Sequence, residues 1–238
     1  MSDYGLILKN NSGEIQIDST YRNLSLDESG DSETISNDNT QSGFYTGVSI
    51  TSSPLVPLIL IRPDTDRFVA IGNYSKSSDN FTGVDFVTEA GTSTDIDWKS
   101  YRENREASGD TYGMLVYNSS GQLCFDSGKS YFKIKSITTG IELDDPSPGF
   151  GLVSDYQDIT HSGISDPYYI VSPSAFWLIT WQHASNQSGL QLYLIGIKKL
   201  TSTSVRVGWF PYRAGVMGGM QGFNQGSNPT MKLLVCAP

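Results

Sequence analysis

The sequence predicts an all-β protein of two sandwich- or barrel-like modules with few helices. Three observations carry this. Short runs of alternating apolar and polar residues recur at spacings of about 8–14 residues, the rhythm of sandwiches and barrels. The 238 residues include 24 Gly and only 17% charged side chains, and Ser, Thr and Asn are abundant, a composition suited to many turns. One stretch is also written twice: Tyr4–Ser19 returns as Tyr112–Ser127, 108 positions on and without a gap.

Each copy of the repeat reads as a β-hairpin. Leu6 and Leu8, then Ile15 and Ile17, alternate in the first; Met114 and Val116, then Leu123 and Phe125, in the second. Period-2 alternation puts such side chains on one face. The intervening Asn10–Gly13 and Asn118–Gly121 suit a type I turn closed by a left-handed residue, so Gly13 and Gly121 are expected at positive φ. Asp18-Ser19 and Asp126-Ser127 close the hairpins by bonding nearby backbone amides. Beyond them only Leu24 and Leu26 still match Phe132 and Ile134. The second Tyr-Gly sets a boundary near Ala107–Asp110, dividing the chain into an N-terminal β module, 1–110, and a C-terminal one, 111–238, independent or packed as one unit.

The remaining elements follow in order. Asp27–Gln41 is so polar that it reads as a long surface loop. Phe44–Ile50, Leu55–Ile61, Arg67–Asn73 and Phe81–Thr88 read as strands, the second and third flanking a Pro63–Asp66 turn. Thr94–Glu106 is expected as a helix or irregular crossover, with Trp98 and Tyr101 three apart. Tyr131–Ile137, Gly151–Ser154, Tyr168–Ser172, Phe176–Gln182, Leu190–Ile197, Ser204–Phe210 and Lys232–Cys236 complete the strands. Ser204–Phe210 is expected to pair with Leu190–Ile197, and the Gly-rich Gly215–Asn228 to be a flexible loop.

Charge and chemistry exclude more than they assign. A net charge of −9 and a pI near 4.6 oppose binding to nucleic acid or to anionic membranes. Met1-Ser2-Asp3 runs straight into the first hairpin and no apolar run is long enough to span a bilayer, so neither a signal peptide nor membrane insertion is expected. Cys124 and Cys236 are too few for a disulfide framework and read as free, partly buried thiols. Gly128-Lys129-Ser130 imitates the end of a P-loop, but Leu123 stands where that loop needs its first glycine. His161 and His183 carry no local metal or triad motif. The carboxylate pairs Asp64/Asp66, Asp95/Asp97, Asp144/Asp145 and Asp155/Asp158 read as turn chemistry, with a glycosidase or Ca²⁺ role the sharper alternative. No catalytic, cofactor or metal set is therefore assigned. Trp177, Trp181, Met217, Met220 and Phe223 are the candidate interface residues, Trp177 and Trp181 being also the candidates for stacking on a sugar.

The repeated pattern of Tyr-Gly, an apolar pair, Asn, Ser-Gly and Asp-Ser resembles the opening hairpin of small all-β tail proteins of tailed bacteriophages, especially siphophages. The match rests on Tyr4–Ser19 and Tyr112–Ser127, about one seventh of the chain, and this chain departs from the simpler pattern by carrying the hairpin twice. The resemblance implies a non-enzymatic virion protein of the tail tip or tail fibre, without cofactor. Its partners would be other tail proteins and copies of itself, a trimer being favoured. The alternatives are a module that binds a host glycan or receptor and, behind it, a surface-polysaccharide hydrolase.

Overall fold

The computed structural model describes residues 7–9, 11, 15–18, 23–33, 35–36, 44–63, 67–89, 94–103, 106–144, 155–172, 176–182, 187–218, 224–226 and 230–237. All of its regular elements are strands, as expected. The first half holds β1 (Ile7–Lys9), β2 (Ile15–Asp18), β3 (Leu24–Glu33), β4 (Ile35–Ser36), β5 (Phe44–Ser53), β6 (Leu58–Pro63), β7 (Val69–Ser77), β8 (Asn80–Thr88) and β9 (Asp95–Glu103). The second holds β10 (Leu115–Tyr117), β11 (Leu123–Asp126), β12 (Ile134–Ile141), β13 (Tyr156–Thr160), β14 (Tyr168–Ser172), β15 (Phe176–Gln182), β16 (Gln187–Thr201), β17 (Ser204–Gly218), β18 (Asn224–Gly226) and β19 (Met231–Cys236).

Three expectations are corrected. Thr94–Glu106, expected as a helix or irregular crossover, is a strand over most of its length: β9 occupies Asp95–Glu103, where Ile96, Trp98 and Ser100 are buried and alternate with Asp95, Asp97 and Lys99. Asp27–Gln41 is not one loop, because β3 runs to Glu33. Its polar backbone is satisfied by a ladder with β9, and an edge strand can leave one face to water. Gly215–Asn228 is not wholly a loop either, since β17 extends to Gly218 and β18 pairs with β15. Strand β13, which the sequence reading passed over, pairs with β17. Gly151–Ser154 lies outside the described residues.

Two antiparallel sheets make the body, and each takes strands from both halves. One runs β12-β19-β14-β6-β9-β3; the other runs β13-β17-β16-β7-β8-β5-β4, with β15 attached to β16 and β18 to β15. Read outward from the β14/β6 and β16/β7 junctions, the two halves list corresponding strands in mirrored order. The topology is therefore that of a twofold duplication. In each half, after the hairpin, the chain visits the two sheets in the same sequence: β3, β5, β6, β7, β8, β9, then β12, β13, β14, β16, β17, β19.

Register supports this residue by residue. The hairpins break register between Leu8 and Lys9 and between Val116 and Tyr117, 108 positions apart. The strands that follow break it at Leu26/Glu28 and Ile134/Ser136, again 108 apart. At the junctions Ile61 faces Tyr169 and Ile197 faces Val69. These registers bring Leu60 opposite Ile170 and Ile71 opposite Ile195. Both are duplicated positions, within Pro57-Leu-Ile-Leu-Ile-Arg-Pro63 and Pro167-Tyr-Tyr-Ile-Val-Ser-Pro173, and within the twin Ile71-Gly72 and Ile195-Gly196.

The main core fills the space between the sheets. Ile59, Ile61, Ile96, Trp98, Tyr169, Leu233 and Val235 meet Val84, Phe86, Tyr193, Ile195, Val207 and Trp209 there. Each such side chain contributes about 1.5–3 kcal/mol by burial. A void of about 30 Å³ remains at the centre, bordered by Ile61, Ile71, Tyr169 and Ile195. A second core lies on the other face of the six-stranded sheet, around Leu60, Tyr101, Tyr168 and Cys236. At this end the sheet closes on itself. Phe132 N–H donates to Leu24 O at 2.9 Å and Leu26 N–H to Ser130 O at 2.7 Å, joining the approach to one edge strand to the other edge strand. Leu58–Ile61 is apolar without alternation because β6 feeds both cores in turn.

Candidate functional site

The repeated hairpin stands outside both large sheets as its own two-stranded ladder. Such a ladder is marginal alone, and local chemistry and tethers hold the second copy, β10–β11. Asn118 organises its turn: the side-chain oxygen accepts from Ser120 N–H at 3.0 Å and Gln122 N–H at 2.9 Å. Gly121 sits at φ 73°, as expected; Gly13 lies outside the described residues. Ser127 Oγ accepts from Met114 N–H at 2.8 Å, and a Cβ on Gly113 would stand 2.5 Å from that oxygen.

Asp126 ties the hairpin to the link before it. Its carboxylate accepts from Ser108 N–H at 2.6 Å and Gly128 N–H at 2.8 Å. Burial pushes the Asp126 carboxyl up, but these backbone donors and nearby Lys129 outweigh it and hold the group below the usual carboxylate range. Lys129 Nζ reaches Glu106 O, so the lysine of the P-loop-like string serves the same tether. No helix follows that string; Ser130–Phe132 bonds to β3 instead. Asn23 clamps the far side, donating through Nδ2 to Cys124 O at 3.1 Å, and Phe125 stacks on Tyr131 with centroids 4.9 Å apart.

Five of the seven residues identical in the two copies thus have structural work in the second: Gly113, Asn118, Gly121, Asp126 and Ser127. Tyr112 has none of that kind and is 90% exposed. Beside it Met114, Leu115 and Tyr117 are exposed along β10, whereas Val116, Leu123 and Cys124 are buried. Met114 does not share the burial of Val116, contrary to the simple alternation, because it precedes β10, which begins only at Leu115. Cys124 is fully rather than partly buried, as is Cys236. In the first copy Ile7 is likewise exposed and Asp18 faces Ile7 across the ladder.

The other candidates are scattered more widely. Trp177 faces Tyr193 on β16 and Gly226 on β18, and Trp181 faces Gly189. Met217 faces Ser188 on the opposite side of β16, one register row from Trp181. Met220 and Phe223 lie outside the described residues, as do His183, Asp64, Asp66 and Asp145. Asp97 is paired with Arg62 and Asp158 with Arg206. His161 is buried with Nε2 2.7 Å from Tyr169 Oη. Among the described residues no group of three His, Cys, Asp or Glu could hold a metal ion.

No protein-family model matches the chain, and no curated protein or solved structure matches it. Sequence reasoning passed over Arg102, which is buried on β9, the segment expected as a helix or irregular crossover, and pairs with Asp27. The alternation of Asp95, Asp97 and Lys99 with Ile96 and Trp98 was the available signal for that strand.

Proposed function

We propose that this chain is a non-enzymatic structural protein of a tailed-phage virion, at the tail tip or tail fibre, which docks on neighbouring tail proteins through its two hairpins. Copies of the chain assemble with one another as a trimer. The observation that carries the reading is Tyr112: it recurs at Tyr4, is almost fully exposed, and heads a stretch of exposed apolar side chains that leads into β10, a strand paired on one side only among the described residues. A two-stranded ladder that displays Tyr112, Met114, Leu115 and Tyr117 to water is a surface that a partner covers. The resemblance of the hairpin to the openings of phage tail proteins supplies the identity of that partner.

Mass spectrometry of purified particles tests the reading directly and is expected to find the chain. A Tyr4→Ala/Tyr112→Ala double variant should keep the wild-type melting temperature yet fail to enter particles. Particles that lack the chain, or a wild-type chain that stays monomeric at micromolar concentration and binds no particle protein, would overturn it.

A further inference from the structure

We propose that the outer face of the nine-stranded sheet binds a single sugar ring, in a pocket over β5, β7, β8 and β16. The pocket holds about 250 Å³ and lies between Tyr45, Asn73, Asp85, Val87, Leu192 and Leu194. That is small for a ligand pocket and suits one ring.

A β-bulge places the polar groups. Ile71 faces Phe86 and Asn73 faces Asp85, so Gly72 is an extra residue in β7. Ile71 and Tyr74 both pack against the main core, and the bulge turns Asn73 outward beside Asp85. Asn73 is exposed and Asp85 partly so. Among the described residues, no hydrogen bond or ion pair engages either side chain. Gly47, opposite Asp85, keeps the carboxylate reachable, since a Cβ there would stand 2.9 Å from Asp85 Oδ1.

The second half of the chain closes the corresponding place with its own side chains. Ile71 faces Phe86 as Ile195 faces Trp209. By that match Val87 corresponds to Phe210 and Asp85 to Gly208. Gly47, opposite Asp85, corresponds to Tyr156, opposite Gly208. Phe210 is wholly buried and stacks on Phe68 with centroids 5.8 Å apart. A Cβ on Gly208 would meet Tyr156 Cβ at 2.8 Å. Ile197, two residues past Ile195 as Asn73 is past Ile71, packs in the core. Where the second half has Phe210 and Tyr156, the first has Val87, Gly47 and a hollow edged by two free polar side chains.

The lining decides what fits. Asp85 is its one charged group among the described residues, so an anion is repelled. A carboxylate accepts from hydroxyls, and an amide both donates and accepts, so adjacent hydroxyls of a sugar satisfy Asp85 and Asn73 together. Val87, Leu192 and Leu194 offer aliphatic surface to the C–H face of the ring, and Tyr45, packed on the cluster around Val87, supplies an aromatic wall. An ammonium ion would pair with Asp85 but turn the rest of its hydration shell against three aliphatic side chains. Two polar side chains on a shallow floor place the affinity in the millimolar range. The pocket uses no residue of the hairpins, so its test is separate from that of their docking role.

Saturation-transfer NMR of the full chain with free glucose, galactose, mannose and N-acetylglucosamine tests it. At least one sugar should give a signal. Asn73→Ala and Asp85→Ala change the surface only, should keep the wild-type melting temperature, and should each raise the dissociation constant about fivefold or more, the worth of one hydrogen bond. Val87→Phe, which carries the second half's residue into the pocket, should abolish the signal. Absence of signal from all four sugars on the wild-type chain would overturn the proposal. So would Asn73→Ala and Asp85→Ala chains that bind as well as wild type. Displacement of the sugar by millimolar methylammonium would overturn the assignment of a neutral ring.

Discussion

Ile61 stands opposite Tyr169 where the first half of the chain meets the second. The same register sets Leu60 against Ile170, both packed in the core at the closed end of the six-stranded sheet. Because each large sheet runs through this seam, neither half has a core of its own to retain when the other opens. The chain is expected to unfold in one transition, with calorimetric and van't Hoff enthalpies equal. Leu60→Ala should lower the stability of the whole by about 2–5 kcal/mol without splitting the transition. Two resolved calorimetric transitions would contradict this.

The duplication also sets two glycines against each other. Gly196 lies at the seam, where an added Cβ would stand 2.5 Å from Phe210 Cε1 and 2.7 Å from Val69 O. A backbone oxygen in a sheet cannot step aside. At the corresponding Gly72 the nearest atom is Val87 Cγ1 at 2.8 Å, and the nearest backbone oxygen is 3.5 Å away. Side-chain rotation can relieve that contact. Gly196→Ala is expected to cost about 1–3 kcal/mol or more, as overpacking does, and Gly72→Ala distinctly less. Denaturant melts of the two variants check the order, and equal losses would show that the approach of Val69 O to Gly196 does not set the cost.

What could be read in the sequence was what is decided locally. The hairpin was legible because Asn118, Gly121 and Asp126 act on amides within a few residues of themselves. Strands such as Phe176–Gln182 were legible because both their ends are marked by turn residues. The rest of the duplication was hidden. Its spacing drifts from 108 to 110 at Pro57/Pro167 and to 124 at Ile71/Ile195 as loops of different length intervene. A core asks for apolar side chains at alternating positions rather than for particular ones, so few identities remain. The Asp27–Glu33 part of β3 was hidden for a different reason: it is held by backbone pairing with β9, which leaves no apolar signature. The burial of Arg102 and its pairing with Asp27 and Thr51 O were not legible, since a lone arginine acquires such surroundings only when β3, β5 and β9 assemble.

The cysteines give a chemical probe of the same assembly. Cys236 lies in the closed-end core beside Leu60 and Tyr101, and burial pushes its thiol up to about 12. Thiolate is the reactive form, so the folded chain should react with a disulfide reagent at pH 8 only through opening. Cys124 is buried in the tethered hairpin, which can open without the sheets. In native conditions Cys124 is expected to be labelled first and Cys236 only at the rate of global unfolding, while denatured chain titrates both at once. Peptide mapping after timed labelling distinguishes them, and equal rates would mean that the hairpin opens only with the whole.

Asp126 makes the hairpin an acid-sensitive part of the molecule. Its folded-state pKa is depressed by the Ser108 and Gly128 amides despite burial, while in the unfolded chain a carboxyl titrates near its ordinary value of about 3.9. A depressed acid binds protons more readily when unfolded. Its contribution is therefore complete above that ordinary value and is lost as pH falls through the folded-state value. Amide exchange at Ser108 and Gly128 should accelerate below about pH 4 before the core amides of β6 and β19 do. Asp126→Asn keeps one acceptor oxygen and sets an NH2 donor against the other amide, so it should weaken the tether at pH 7 and remove this acid dependence. An Asp126→Asn chain whose hairpin protection still fell between pH 4 and pH 2 would place the acid sensitivity in another carboxylate.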